Sequence, residues 1–408
     1  MNDEQRQALN TALITREGKR FTRRQALELL GGLGIAAAAL PTITRHAVAQ
    51  ADDHATPHAS PVAGPRDDGT NLWEVEVGGM DMESNVDMHA YFPTDLTIGA
   101  GDTVWFNFTP FGMPMFHTVT FTSGEPIPPI QVLYIVEGTP TVDADGLPKL
   151  ILNPEVAWPD GRAEYDGTGY INSGLDVFHV EGEQYMLTFT APGTHDYECA
   201  IHGLLMKGSV TVLEAGAELP HDAAGVKALA GEERTALLEE GKATIAEFEA
   251  QLGTPAADGP ATWDVAAGVG GESRARAMLF IPKDLTIKVG DTVRWTNHQP
   301  GEPHTITFLG GEEQPEDIIV EPDPSGRPKF VQNMDTFLPT AESTFDGNGY
   351  RNSGLYGFPP EIADLFGLLT GPYELTFTAP GEYPYYCILH AGGPDAEDAM
   401  TGTIIVEA

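Results

Sequence analysis

The chain has 408 residues, with 60 acidic and 22 basic side chains and a formal net charge of −38 at pH 7. A surface this acidic repels nucleic acids and anionic lipids, which argues against both as partners. The charge is compatible with a cationic protein partner, or simply with solubility.

The first 49 residues have the composition of an export signal. A polar, net basic start ends in Thr22-Arg23-Arg24, an apolar run follows over residues 29–40, and Ala47-Val48-Ala49 offers small residues for cleavage. The apolar run is too short for a permanent membrane span, and no other stretch approaches that length. We therefore predict a twin-arginine signal peptide over residues 1–49 and a periplasmic, extracellular or cell-surface location, with no transmembrane segment in the mature chain.

Residues 50–70 are rich in Ala, Pro, Asp and His without periodicity and predict a disordered tether. Two similar segments then follow, over residues 71–215 and 262–408. For example, Asp95-Leu96-Thr97-Ile98 returns as Asp284-Leu285-Thr286-Ile287, 189 residues later. Short runs of Val, Ile, Thr, Phe and Tyr broken by Gly and Pro predict an all-β sandwich in each segment, and each is long enough to bury its own core.

Both repeats carry a Pro- and Gly-rich insertion, which ends in Tyr170-Ile171-Asn172-Ser173-Gly174 in the first and Tyr350-Arg351-Asn352-Ser353-Gly354 in the second. It is either a flap over a functional face or a structural loop packed by its own aromatic residues. Between the repeats, residues 216–261 form a linker. Apolar residues fall near helical spacing over residues 223–252, which predicts an amphipathic helix that joins the two sandwiches.

The only two cysteines each precede a histidine and a methionine. Cys199-Ala200-Ile201-His202 is followed by Met206, and Cys387-Ile388-Leu389-His390 is followed by Met400. A soft thiolate and thioether combined with imidazole select copper over zinc, calcium or magnesium. One further histidine precedes each set, His117 and His304, and we place each on the same face of an alternating strand as the apolar residues that follow it.

This pattern of a strand histidine, a distant Cys-x-x-His and a following Met resembles the type 1 (blue) copper proteins of the cupredoxin fold, and it occurs twice. The resemblance implies two tandem Greek-key β-sandwiches joined by the helix, each with one type 1 copper ion. It implies these ligands: His117, Cys199, His202 and Met206 in site one, and His304, Cys387, His390 and Met400 in site two.

Two cysteines in an exported chain most often form a disulfide. Here the two occupy equivalent positions in two repeats, and each is followed by a histidine at the same spacing. That arrangement favours metal binding over a disulfide.

A site of two His, one Cys and one Met leaves no open position for a substrate, so the resemblance implies an electron carrier that works with a redox partner protein. In multicopper oxidases and copper nitrite reductases a His adjoins the copper Cys; neither Cys here has one, and the chain lacks the His-x-His pairs of the oxidases. Two alternatives stay open. One is an enzyme with a further copper held by His89, His179, His195 or His298. The other is a copper-handling protein that uses Met80, Met82, Met88, Met113 and Met115.

The two repeats differ most around the axial methionine. Met206 follows His202 closely, whereas an acidic loop with Gly and Pro separates Met400 from His390. Negative charge near the metal and a loosely held axial ligand favour Cu(II) and ligand exchange. We therefore expect site two to have the lower potential and the more labile copper.

Overall fold

The computed structural model describes residues 61–108, 116–136, 139–142, 149–175, 184–251, 260–271, 273–299, 301–323, 327–358, 363, 367–391, 393 and 400–408. The predicted export signal and residues 50–60 of the predicted tether lie outside this part. The ordered chain starts before residue 71, because a short strand at Gly64–Pro65 already pairs with the first long strand.

The strands of the first half are β1 (Gly64–Pro65), β2 (Asn71–Val77), β3 (Met80–Asp81), β4 (Val86–Met88), β5 (Tyr91–Phe92), β6 (Asp95–Gly99), β7 (Thr103–Asn107), β8 (Thr120–Phe121), β9 (Gln131–Leu133), β10 (Ile135–Val136), β11 (Thr139–Pro140), β12 (Leu150–Leu152), β13 (Glu164–Tyr165), β14 (Ile171–Asn172), β15 (Tyr185–Phe189), β16 (Gly193–Cys199) and β17 (Gly203–Leu213). Those of the second half are β18 (Thr262–Val269), β19 (Ala275–Ile281), β20 (Asp284–Lys288), β21 (Thr292–His298), β22 (Thr307–Phe308), β23 (Ile318–Glu321), β24 (Lys329–Gln332), β25 (Thr344–Phe345), β26 (Arg351–Asn352), β27 (Tyr373–Phe377), β28 (Gly381–Tyr386) and β29 (Thr401–Glu407). The helices within the described residues are α1 (Pro154–Ala157), α2 (Ala223–Gln251) and α3 (Met334–Phe337).

Each half contains two sheets around one hydrophobic core. In the first half the order β1-β2-β7-β15-β13 faces β14-β8-β16-β17-β6, and in the second β25-β27-β21-β18-β19 faces β20-β29-β28-β22-β26. Parallel pairs occupy equivalent places, since β2 with β7 corresponds to β18 with β21, and β6 with β17 to β20 with β29. The predicted all-β architecture of two tandem sandwiches is confirmed.

Alternation along the strands builds these cores. In β15 the side chains of Tyr185, Leu187 and Phe189 are buried, while the two residues between them are only partly covered. This period of two is what a strand shows when one face lies on a core. Burial of such side chains stabilises the fold by about 1.5–3 kcal/mol each.

The two halves share sheets. Strand β19 of the second half pairs with β4 of the first, and β24 pairs with β12. Buried amides reinforce the second contact, because Gln131 Nε2 donates to Gln332 Oε1 at 3.0 Å. These contacts fix the position of one sandwich relative to the other.

The predicted helix is present as α2. The side chain of Asp222 accepts a hydrogen bond from the N–H of Gly225 in its first turn, as a capping residue does. Along the helix, Ala230 and Leu237 pack with Val86 of the first half and Ala275 of the second in one buried cluster. The helix is thus a packed element that touches both sandwiches.

Within the part of the chain that the structure describes, no helix is long and apolar enough to cross a membrane.

Candidate metal centres

Two buried clusters bring together the histidines and cysteines that the sequence analysis singled out. In the first, one ligand atom each of His117, Cys199 and His202 lies within 4.8 Å of the others. The two Nδ1 atoms are 3.2 Å apart, and Cys199 Sγ is 3.4 Å from His202 Nδ1. Atoms that share an ion at about 2.0–2.3 Å are spaced in this way.

The second cluster repeats this geometry with His304, Cys387 and His390. Its Nδ1 atoms are 3.1 Å apart, and Cys387 Sγ is 3.3 Å from His390 Nδ1. Both cysteines are free and buried, so the disulfide interpretation is excluded. The donor set in each cluster fits a copper ion, because it combines a soft sulfur with two imidazole nitrogens in a buried position.

Local structure explains how each ligand is placed. Strand β16 ends at Cys199, where the alternation of the strand turns the thiol to the core, and a tight turn then presents His202. The other two histidines precede strands β8 and β22, which begin at Thr120 and Thr307. The prediction that they lie in a strand was wrong for His117, whereas His304 forms an isolated antiparallel bridge with Tyr356. Before β8 the N–H groups of Thr118 and Val119 bond to side chains instead, Cys199 Sγ and Ser173 Oγ.

A threonine beside each of these histidines holds the cysteine loop. The N–H of Thr118 donates to Cys199 Sγ at 3.4 Å, and its Oγ1 accepts from the N–H of Ala200 at 2.7 Å. Thr305 makes the same two contacts with Cys387 Sγ and the N–H of Ile388. This role was not predicted from the sequence, although the dipeptide His-Thr in both repeats could have indicated it.

Residues of the Pro- and Gly-rich insertions form buried hydrogen bonds with the chain segments that carry the site histidines. Asn172 is fully buried; its Oδ1 accepts from Thr120 Oγ1 and its Nδ2 donates to the carbonyls of Glu155 and Val156. Ser173 Oγ accepts from the N–H of Val119 at 2.8 Å. Asn352 and Ser353 repeat these contacts in the second half. Of the two interpretations, these contacts favour the structural loop.

We expect Asn172→Ala to lower the free energy of unfolding of the metal-free chain by about 2–4 kcal/mol, because it leaves several buried polar groups unpaired at about 1–3 kcal/mol each. Chemical denaturation measures the change. The matched control is Asn348→Ala, which removes an exposed amide that bonds only within its own turn. Equal losses in the two variants would contradict the supporting role of Asn172.

The histidine of each His-Thr dipeptide, His117 in site one and His304 in site two, packs on a glycine. A Cβ at Gly78 would lie 2.0 Å from His117 Nε2, and one at Gly268 would lie 2.3 Å from His304 Nε2. Both glycines also have positive φ, +57° and +75°. Any larger residue there would occupy the space of the imidazole.

The two methionines are fully buried with their sites. Met206 lies in β17 and belongs to the same hydrophobic cluster as Cys199, and Met400 belongs to the same cluster as Cys387. The loop residues 394–399 lie outside the described part, but the backbone of Met400 bonds to His390 and Cys387. The chain therefore returns to the site, and axial ligation by either thioether stays a prediction.

Burial sets the ionisation of two metal-free ligands in the first cluster. It lowers the pKa of His117 to about 4, and it raises the pKa of the Cys199 thiol to about 11 despite the backbone and Thr118 hydrogen bonds that oppose it. The imidazole is therefore neutral and ready to bind a metal at neutral pH. The thiol is protonated, so metal binding must displace its proton.

One buried carboxylate lies between the two clusters. Glu302 Oε1 is 3.2 Å from His390 Nε2, and Glu302 Oε2 is 3.9 Å from His202 Nε2. Glu302 was not predicted from the sequence as a site residue. Internal repetition could not have found it, because the equivalent residue of the first repeat is Met115.

Only one of the described histidines of the enzyme alternative joins this region. His89 Nε2 is 3.0 Å from Asp87 Oδ2, and the ring stacks on that of His202 at 3.8 Å. With His202 and Glu302 it forms a third group that could hold a metal. His195 bonds to the Ala191 carbonyl and His298 packs on Phe248, whereas His179 lies outside the described residues.

Three of the methionines of the copper-handling alternative lie in the part of the chain that the structure describes. Met80 and Met88 are buried and Met82 is partly buried, with Met88 in the core beneath α2. Met113 and Met115 lie outside the described residues.

Comparison with known proteins relates the chain to copper-binding proteins. The sequence model of a family described as copper binding proteins, plastocyanin/azurin family, matches residues 78–213. The plastocyanin of Scenedesmus fuscus is 30% identical over 110 residues, which is 26% of this chain and 98% of that protein. The chloroplastic plastocyanin of Chlamydomonas reinhardtii is 32% identical over 131 residues, 32% of this chain but only 60% of that protein's length. The crystal structure of amicyanin from Paracoccus versutus is similar at 19% identity, with a TM-score of 0.18, over 39% of this chain and 88% of that one.

Proposed function

Because the chain belongs to the plastocyanin/azurin family of copper-binding proteins, we propose that it is an exported electron carrier with two type 1 copper sites. Site one consists of His117, Cys199, His202 and Met206. Site two consists of His304, Cys387, His390 and Met400. The observation that carries the proposal is the recurrence of the buried His/Cys/His cluster with the same interatomic distances in both halves.

Copper supplies a one-electron couple, Cu(II)/Cu(I), when it is bound at such a site. The protein's own groups keep the geometry the same in both states. The Thr118 and Thr305 N–H groups donate to the cysteine sulfurs, and the buried surroundings exclude water. A site that does not rearrange between oxidation states suits fast electron transfer.

The surroundings of the sites support electron transfer rather than substrate binding. All six His and Cys ligands are buried or nearly so, and two buried methionines stand beside them, so no position is left for a substrate. Our support for export is the N-terminal sequence alone. A redox protein is the partner we propose, and the excess of acidic residues is compatible with a cationic docking surface on it.

One observation favours a second candidate, an enzyme with a third copper held by His89, His202 and Glu302. Since Nδ1 of His202 already faces Cys199, such an ion would require Nε2 of the same imidazole to lose its proton. We therefore place the carrier first.

Metal analysis with visible and electron paramagnetic spectra of the mature protein tests the proposal. We expect two coppers per chain, both blue, and no nitrite reduction or oxygen-coupled phenol oxidation above a copper-free control. A third copper without strong visible absorption, together with such activity, would establish the enzyme instead. Excess, loosely held Cu(I) would indicate copper handling.

A further inference from the structure

We propose that Glu302 is a carboxylate shared by the two copper sites, and that its negative charge lowers the redox potentials of both within one chain. The inference rests on the proposed function. It concerns the three side chains His202, Glu302 and His390, which we call the His–Glu–His bridge.

The imidazoles of His202 and His390 have the same orientation relative to their own sites. In each ring Nδ1 lies beside a cysteine sulfur, at 3.4 Å in His202 and 3.3 Å in His390. When Nδ1 binds the metal, Nε2 of a neutral imidazole carries the proton. Both N–H groups then point away from their own copper site and towards Glu302.

Glu302 is the side chain suited to this position. An ionised carboxylate has two oxygens, so one residue can face two imidazole N–H groups. Oε1 is 3.2 Å from His390 Nε2, within hydrogen-bond distance, whereas Oε2 is 3.9 Å from the Nε2 atoms of both His202 and His89, which is an ion-pair distance and too long for a hydrogen bond. Glu302 is therefore bound more closely to site two than to site one.

The surroundings keep the bridge out of water. The side chains of His202, His390 and Glu302 are 6%, 3% and 3% exposed. Arg276, also buried, interacts electrostatically with Glu302 and offsets part of its charge. A charge interaction at such a site is only weakly screened by solvent.

The effect on both redox potentials follows from the negative charge of Glu302. A carboxylate that accepts the other N–H of a ligating imidazole makes that ligand more basic, which stabilises Cu(II) over Cu(I) and lowers the potential. The same negative charge lies near the imidazoles of both sites. Its removal must therefore raise both redox potentials. The rise should be larger at site two, where the contact is shorter. This gives a reason for a low potential at site two that is independent of its axial loop.

Potentiometric titration of the copper-loaded full chain, followed by visible and paramagnetic spectra, tests the proposal. In Glu302→Gln the Cu(II)/Cu(I) equilibrium of site two should shift about tenfold towards Cu(I), or about 59 mV for one electron. Site one should shift in the same direction by a smaller factor. Cys199→Ser and Cys387→Ser backgrounds assign each potential to its site.

The matched control is Glu374→Gln, which removes the same charge from an exposed pair with Arg294 and should leave both equilibria within about twofold. If Glu302→Gln fails to fold or to bind copper, Glu302→Asp retracts the carboxylate without removing it, and both potentials should rise by a smaller amount. A shift confined to one site, or no shift at all, overturns the shared bridge. A third metal ion in the wild type that Glu302→Gln loses overturns it as well, since Glu302 would then be a ligand.

Failure of the proposed function is distinguishable. A wild-type chain that does not hold two blue coppers removes the function and this inference together. If the wild type holds two blue coppers and neither potential changes in Glu302→Gln, only the inference about Glu302 is wrong.

Discussion

We expect Cys199→Ser to remove one of the two proposed blue chromophores and leave the other, and Cys387→Ser to do the same for the second site. The colour of a type 1 site arises from charge transfer between the thiolate and copper, and a serine hydroxyl does not replace a thiolate as a ligand at neutral pH. Each substitution should therefore halve the visible absorption and the paramagnetic signal per chain.

The unaffected site should survive because serine is nearly the same size as cysteine. The halves share sheets through the β4–β19 and β12–β24 pairs, so a substitution that disturbed packing could spread from one site to the other. Replacing one buried sulfur atom by oxygen leaves those contacts in place. The two variants control each other, since the chemical change is identical, and the double variant should be colourless. Loss of all colour in one single variant, or of none in both, would contradict two independent sites.

Gly78→Ala should lower the copper affinity of site one by about 100-fold or more and leave site two nearly unchanged. The added Cβ would stand 2.0 Å from His117 Nε2, so the imidazole has to move, and groups that orient a metal ligand typically change affinity by about 10–100-fold when altered. Competition with a Cu(I) chelator measures the affinity of each site.

Backbone strain alone does not account for such an effect. Gly216→Ala is the matched control, because Gly216 has φ +79° and open space around its Cβ position. It has the same conformational cost, about 1–2 kcal/mol, without a clash at the metal site. Gly268→Ala should reproduce the loss at site two, where the Cβ would meet His304. If Gly78→Ala behaves like Gly216→Ala, the space beside His117 does not matter for copper.

The sequence by itself determined the class of fold, the helix and the residues of both metal clusters. Cys199 and His202 are three residues apart, so a single turn brings them together, and their soft and imidazole donors select copper wherever the chain places them. The helix was predictable over residues 223–252 because its periodicity is a local property, and it is present as Ala223–Gln251. Repetition added the rest, since an isolated histidine becomes informative when it recurs before the same motif.

Only the tertiary structure decided what lies between the two sites. Glu302 has no acidic counterpart in the first repeat, and its position between His202 and His390 depends on how the two sandwiches pack. The sequence likewise does not reveal the role of Gly78. Its importance comes from the imidazole of His117, which is 39 positions further along the chain. Metal-ligand chemistry is encoded in short spacings, whereas the arrangement of two domains depends on contacts between residues far apart in the chain, which no local pattern records.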